Sequence, residues 1–111
     1  MTKKYAVINK TPHPVNICDT EGNVIRVYER DETPIRLKQI VLPGKPLPDG
    51  TPTTITAFGA PVGLPEYRAG VFYIVSQLVK SALPSRRDLL VPSEVVRDAA
   101  GNIIGCKSLG R

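Results

Sequence analysis

Twice along this chain a strand-like run breaks into the same seven-residue pattern, Asp-x-x-Gly-Asn-[Val/Ile]-Ile. The first copy is Asp19-Thr20-Glu21-Gly22-Asn23-Val24-Ile25, and the second is Asp98-Ala99-Ala100-Gly101-Asn102-Ile103-Ile104. Aspartate favours the first position of a turn, and a glycine three residues later takes the positive φ of a bulge residue. A chain carrying this device near both ends is committed to hairpins there, over residues 15–29 and 95–106. Few sequences make this bulged turn well. The recurrence therefore reads as one turn chemistry used twice, not as an internal duplication.

The rest of the chain fits around those hairpins. Tyr5-Ala6-Val7-Ile8-Asn9 reads as an opening strand, and Thr11-Pro12-His13-Pro14 breaks it, because a residue before proline is pushed to extended geometry. Residues 35–42 and 53–58 read as strands separated by a Pro-rich loop at 43–52, and 59–70 reads as a second long loop. Val71-Phe72-Tyr73-Ile74-Val75 is a continuous apolar run suited to a central strand buried on both faces. Ser76 stands at an N-cap position for one short helix at about 76–83, which Pro84 ends. Leu78 and Ala82, with Val79 and Leu83, are expected to face the sheet. Residues 88–92 form a further strand, so a strand–helix–strand unit sits inside an otherwise antiparallel arrangement. Glycine and proline supply 20 of the 111 residues, which disfavours long helices. Val, Ile, Leu and Phe supply 32, enough for one modest core. The fold class is α+β, mainly β: a small, mostly antiparallel sheet in a single domain over 1–111.

The chain is basic, with a net charge of +5, and the excess is uneven. Residues 76–111 hold six Lys and Arg against three Asp and Glu. Such a concentration draws anions, phosphates among them. Arg86 and Arg87 offer forked donors for a phosphate or carboxylate, or pair with Asp88 at the surface. Arg97 lies beside the second turn, within reach of Asp98, Glu94 or the same basic region. Ser76 either caps its helix or adds a hydroxyl to an anion site. His13, the only histidine, either serves the backbone turn or contacts a ligand. No Walker loop or dinucleotide fingerprint is present, and no cofactor is expected. Two cysteines and one histidine do not complete a structural zinc site. Cys18 and Cys106 read as buried small hydrophobes. A hydrolase using His13 and Cys106 lacks a carboxylate spaced to orient the imidazole. Few aromatics interleave with the basic residues, which argues against nucleic acid. No apolar run reaches ~18 residues, so no spanning helix is expected. The Met1-Thr2-Lys3-Lys4 start has no apolar core of an export signal, which points to the cytoplasm.

Several of these stretches resemble a family of small bacterial and phage proteins. The opening Thr11-Pro12-His13-Pro14-Val15 is similar to that family's N-L-T-P-H-P-[VI] start, with Lys10 where the leucine usually stands. The closing Ile74-Val75-Ser76, Asp88-Leu89-Leu90-Val91-Pro92, Val96-Arg97-Asp98, Gly101 and Ile104-Gly105-Cys106 resemble its C-terminal part. The resemblance covers about the first sixth and the last third of the chain. It implies a prokaryotic or viral protein of the cytosol and carries no settled activity. By analogy of size and lifestyle it points to a non-catalytic anti-defence role. The leading expectation is therefore a sponge for a small anionic, nucleotide-derived signal, held by His13, Ser76, Arg86, Arg87 and Arg97. The alternative is a protein–protein interaction module or inhibitor of a host protein, presenting Leu47, Leu64 and Tyr67 from its Pro-rich loops. Exposed sheet edges also make a homo-oligomer a natural outcome.

Overall fold

The two repeated turns close in the same way. In each, the aspartate accepts at Oδ1 from the amides two and four residues on, at 2.9 Å: Glu21 and Asn23 for Asp19, Ala100 and Asn102 for Asp98. Gly22 and Gly101 stand at φ 88° and 86°, the left-handed geometry that the glycine is there to supply. This is a computed structural model and it describes residues 5–111; the Met1-Thr2-Lys3-Lys4 start, on which the export expectation rests, lies outside the described residues.

Eight strands and one helix follow in chain order. They are β1 (Ala6–Asn9), β2 (Val15–Cys18), β3 (Val24–Tyr28), β4 (Arg36–Pro43), β5 (Thr54–Val62), β6 (Val71–Ile74), α1 (Gln77–Ala82), β7 (Leu89–Arg97) and β8 (Ile103–Gly110). Six strands form one sheet in the order β1-β6-β7-β8-β2-β3, and β4 and β5 pair only with each other. The fold is mainly β with one short helix. The hairpins are β2–β3 and β7–β8, and β6-α1-β7 is the expected parallel strand–helix–strand unit. Two further pairings are also parallel, β1 with β6 and β2 with β8, so the large sheet is mixed. It curls until its two edge strands nearly meet. Asn9 bridges Arg30 in parallel register, and Asp31 N donates to Asn9 O at 2.8 Å.

The curl gives the sheet an inner and an outer face. Inside lie Val15, Ile74, Leu90 and Cys106, with Val7, Ile17, Tyr28, Phe72 and Leu109 around them. Outside, Tyr73, Val75, Leu89 and Val91 pack under Val79 of α1, with Ile8, Ile35, Leu37, Leu64 and Leu83 at the margin. β6 alternates between the two clusters, which is why its sequence is apolar throughout. The helix buries Val79 and partly Leu83, four residues apart on one face, while Leu78 and Ala82 are exposed. The expected inward pair is thus one residue out: the side chain that follows the buried Tyr73 and Val75 on the same face is Val79.

Three elements are longer than their local pattern suggests. β7 is one continuous strand through Pro92 and Glu94, where two short strands are expected from the sequence. Pro92 lies opposite Leu109 where β6 has already ended, and Glu94 takes φ 55° with its carboxylate accepting from Ser108 Oγ at 2.9 Å. β8 runs on to Gly110. β5 continues to Val62 through the expected loop, because an extra residue at Gly59-Ala60 bulges opposite Lys38 and lets Pro61 pair with Leu37. The β4–β5 hairpin then stands away from the body as an arm of about 26 Å in its strands. It stretches the molecule to 63 Å and the radius of gyration to 17.6 Å, against about 13 Å for a compact chain of this length. No helix is long and apolar enough to cross a membrane among the described residues.

Candidate functional site

The five residues expected to gather at an anion site do not share one. His13 is exposed in the loop between β1 and β2. Its carbonyl, not its ring, is what the structure uses: it accepts from Asn9 Nδ2 at 2.7 Å, with the Thr11 hydroxyl 2.9 Å away and its one proton turned to the nearer Asn9 Oδ1. Ser76 caps α1 by accepting from Val79 N at 3.3 Å. Arg97 sits at the far end of β7, eight residues or roughly 26 Å from Leu89, and donates to Gly101 O at 2.9 Å across the turn.

Arg86 is engaged elsewhere as well. Its Nε and Nη2 donate to the two oxygens of Asp88 at 2.8 and 2.6 Å, and Nη2 also reaches Pro65 O at 3.0 Å. Asp88 is 1% exposed. The Arg86 guanidinium holds the Asp88 carboxyl below its ordinary value, against burial, which pushes it up. The pair is a two-pronged, charge-assisted anchor that ties the 63–70 segment to the start of β7. It is not the exposed surface pair that is the sequence alternative.

What remains basic and unpaired is smaller. Lys80, Arg86, Arg87, Leu89 and Arg111 line a hollow of about 400 Å³ at the start of β7. With Arg86 neutralised by Asp88, its positive charge comes from Lys80, Arg87 and Arg111. The Arg111 guanidinium rests 5.4 Å from the centre of the Phe72 ring. Of the expected residues, only Arg86 and Arg87 line this hollow.

The burial of three polar groups escaped the sequence reading. Asn9, 1% exposed, donates to His13 O and Tyr28 O and accepts from both the amide and hydroxyl of Thr11. Every hydrogen-bonding site of its amide is thereby filled, and it pins the loop to the junction where the sheet closes. Lys10 Nζ meets Asp31 Oδ2 at 2.7 Å and Thr33 Oγ1 at 3.0 Å. Asp88 is the third. The available signal was Asn9 two residues before Thr11-Pro12, a side chain suited to folding back on its own backbone. Cys18 and Cys106 are buried free thiols. The Cys106 thiol is pushed up by burial and donates to Asn16 O at 3.7 Å, so it is a packed side chain, not an activated nucleophile.

The most conspicuous surface is the arm. The register pairs Ile40 with Ala57 and Leu42 with Ile55 on one face, and Gln39 with Phe58 and Val41 with Thr56 on the other. Ile55 is 58% exposed, and Ile40, Val41, Leu42, Phe58 and Val62 are all exposed. Leu47 at the tip and Tyr67 beyond the base are exposed too, whereas Leu64 is spent on the outer core. No family model, curated protein or solved structure matches the chain.

Proposed function

We propose that this chain is a non-catalytic interaction module that docks a protein through the β4–β5 arm. The observation that carries the reading is a two-stranded hairpin that exposes apolar side chains on both faces and stands clear of the core. An isolated hairpin is marginal in water, and soluble chains rarely expose contiguous apolar area of this kind unless something covers it. An arm that contributes little to its own core earns its length at an interface. The reading agrees with the phage or bacterial cytoplasmic setting that the resemblance implies, and with an inhibitor of a host protein. The test is co-purification from host lysate with the natural chain and with Leu42→Asp/Ile55→Asp. A stoichiometric partner is expected with the first and absent with the second, whose core melts normally. Full retention of that partner by the double variant refutes the reading.

A small anion is the second reading, favoured by the hollow that Lys80, Arg87 and Arg111 surround. A volume of about 400 Å³ falls within the range of small-molecule sites. Calorimetry against mono-, di- and cyclic nucleotides tests it. Binding is expected to weaken at least tenfold in Arg87→Ala, and absence of heat across the panel at micromolar concentration removes it.

A further inference from the structure

The arm's two outer edges differ, and the difference selects a partner. β4 carries Arg36 and Lys38, charges of the kind that guard an edge strand against pairing. β5 reads Thr-Ile-Thr-Ala-Phe-Gly-Ala-Pro-Val, nine residues without a charge, and the uncharged stretch runs from Gly50 to Pro65. Its inner edge is used by β4, and α1 is in contact with it. The other open edges of the described residues, β1 and β3, are four and five residues long, and β3 holds Arg26 at its centre. β5 is therefore the one long edge without a charge, its bulge at Gly59-Ala60 and Pro61 leaving Thr54 to Phe58 as a regular, unguarded stretch.

We infer that the β5 edge pairs with the β5 edge of a second copy of this chain, antiparallel, making a four-stranded β4-β5-β5-β4 sheet across a two-fold axis. This rests on the docking reading above and adds a second copy of the chain along the β5 edge, the apolar faces of the arm being left for the foreign protein. A second copy brings an identical uncharged edge, and antiparallel pairing about Ala57 sets Ala57 against itself and Thr56 against Phe58, with the Gly59-Ala60 bulges at either end. The basic β4 strands then lie outermost, away from one another. The union also removes the weakness of a lone hairpin, because four strands share the ladder.

Sedimentation of the full chain over a micromolar to millimolar series tests this. The expected result is a shift from 12.1 kDa to about twice that mass, abolished by Ala57→Lys. Ala57→Cys provides a conservative second variant. Residues facing each other across an antiparallel ladder have Cα atoms ~4.5–5.5 Å apart, inside the span a disulfide bridges. Cys18 and Cys106 are buried, so mild oxidation is expected to trap an Ala57→Cys dimer while the natural chain stays uncrosslinked. A monomer throughout the series overturns the pairing, as does a dimer that Ala57→Lys leaves intact and Ala57→Cys does not trap. A monomer that still retains a foreign protein in the lysate experiment, and loses it in Leu42→Asp/Ile55→Asp, overturns the self-pairing alone. Indifference of every partner to the arm variants overturns the docking reading as well.

Discussion

Replacing Arg86 with methionine keeps most of the apolar stem and removes the guanidinium from Asp88. Three donated hydrogen bonds disappear, two from the carboxylate and one from Pro65 O. The carboxylate left behind is 1% exposed, while the arginine it loses is about a fifth exposed. Removing one partner of a buried pair costs ~3–5 kcal/mol, and the partial exposure of Arg86 places this case near the lower end, at about 3 kcal/mol. For a chain of this length about 1 kcal/mol corresponds to about 4 °C, so the melting temperature is expected to fall by roughly 12 °C at pH 7. The pH dependence separates this account from simple loss of packing. In the natural chain the folded carboxyl titrates below its unfolded value of about 3.9. Its contribution is complete above that value and is lost as pH falls through the depressed folded one. In Arg86→Met the buried, unpartnered carboxyl is raised instead, so the variant loses stability as pH rises and the gap to the natural chain narrows in acid. Thermal melts of both proteins between pH 3.5 and 8 read this directly. A drop under 2 °C at pH 7, or a larger one that stays constant across that range, would refute the argument.

Two further outcomes follow from single atoms. A Cβ added at Gly105 would stand 2.6 Å from Cys18 Sγ and 2.8 Å from the Asn16 carbonyl; Gly105→Ala is expected to cost about 1–3 kcal/mol in urea unfolding by forcing β8 off β2, and an unchanged midpoint contradicts that close approach. Asn9→Ala removes the donor to Tyr28 O and the acceptor of Thr11 N and leaves His13 O only the Thr11 hydroxyl, so about 2–4 kcal/mol should be lost, with faster amide exchange in residues 10–14 and 28–31; an effect below 1 kcal/mol would show that water replaces it.

What the sequence makes legible here is what is local. The Asp19 and Asp98 turns are visible because each aspartate bonds its own next few amides. The helix is visible because Ser76 and Pro84 bracket it. The face of that helix is not, since Leu78 and Val79 are both apolar and only the position of Tyr73 and Val75 decides between them. The joins of β1 to β6 and β2 to β8 leave no local trace, because a parallel partner is defined by nothing in the turn between them. The Arg86–Asp88 pair is written plainly as Arg-x-Asp; that it is buried is not. The gathering of basic residues near the chain's end is a fact of composition that geometry divides. Arg97 goes to a hairpin tip and Arg86 to its carboxylate, leaving Arg87 with Lys80 and Arg111. The arm is half legible: its strands show in the pattern, and their isolation from the main sheet does not.

The seam between β2 and β8 has a consequence for how the chain acquires its shape. Ile17 waits for Cys106, and Ala6 for Val71. During synthesis the opening strands leave the ribosome with their neighbours still unmade, and of the hairpins only the arm has all its strand pairings close at hand, since β2 of the first hairpin also needs β8. Pairings that span most of the chain are slow to form. The main body is thus expected to assemble late and nearly at once, with β1 and β2 held open until the final strands emerge.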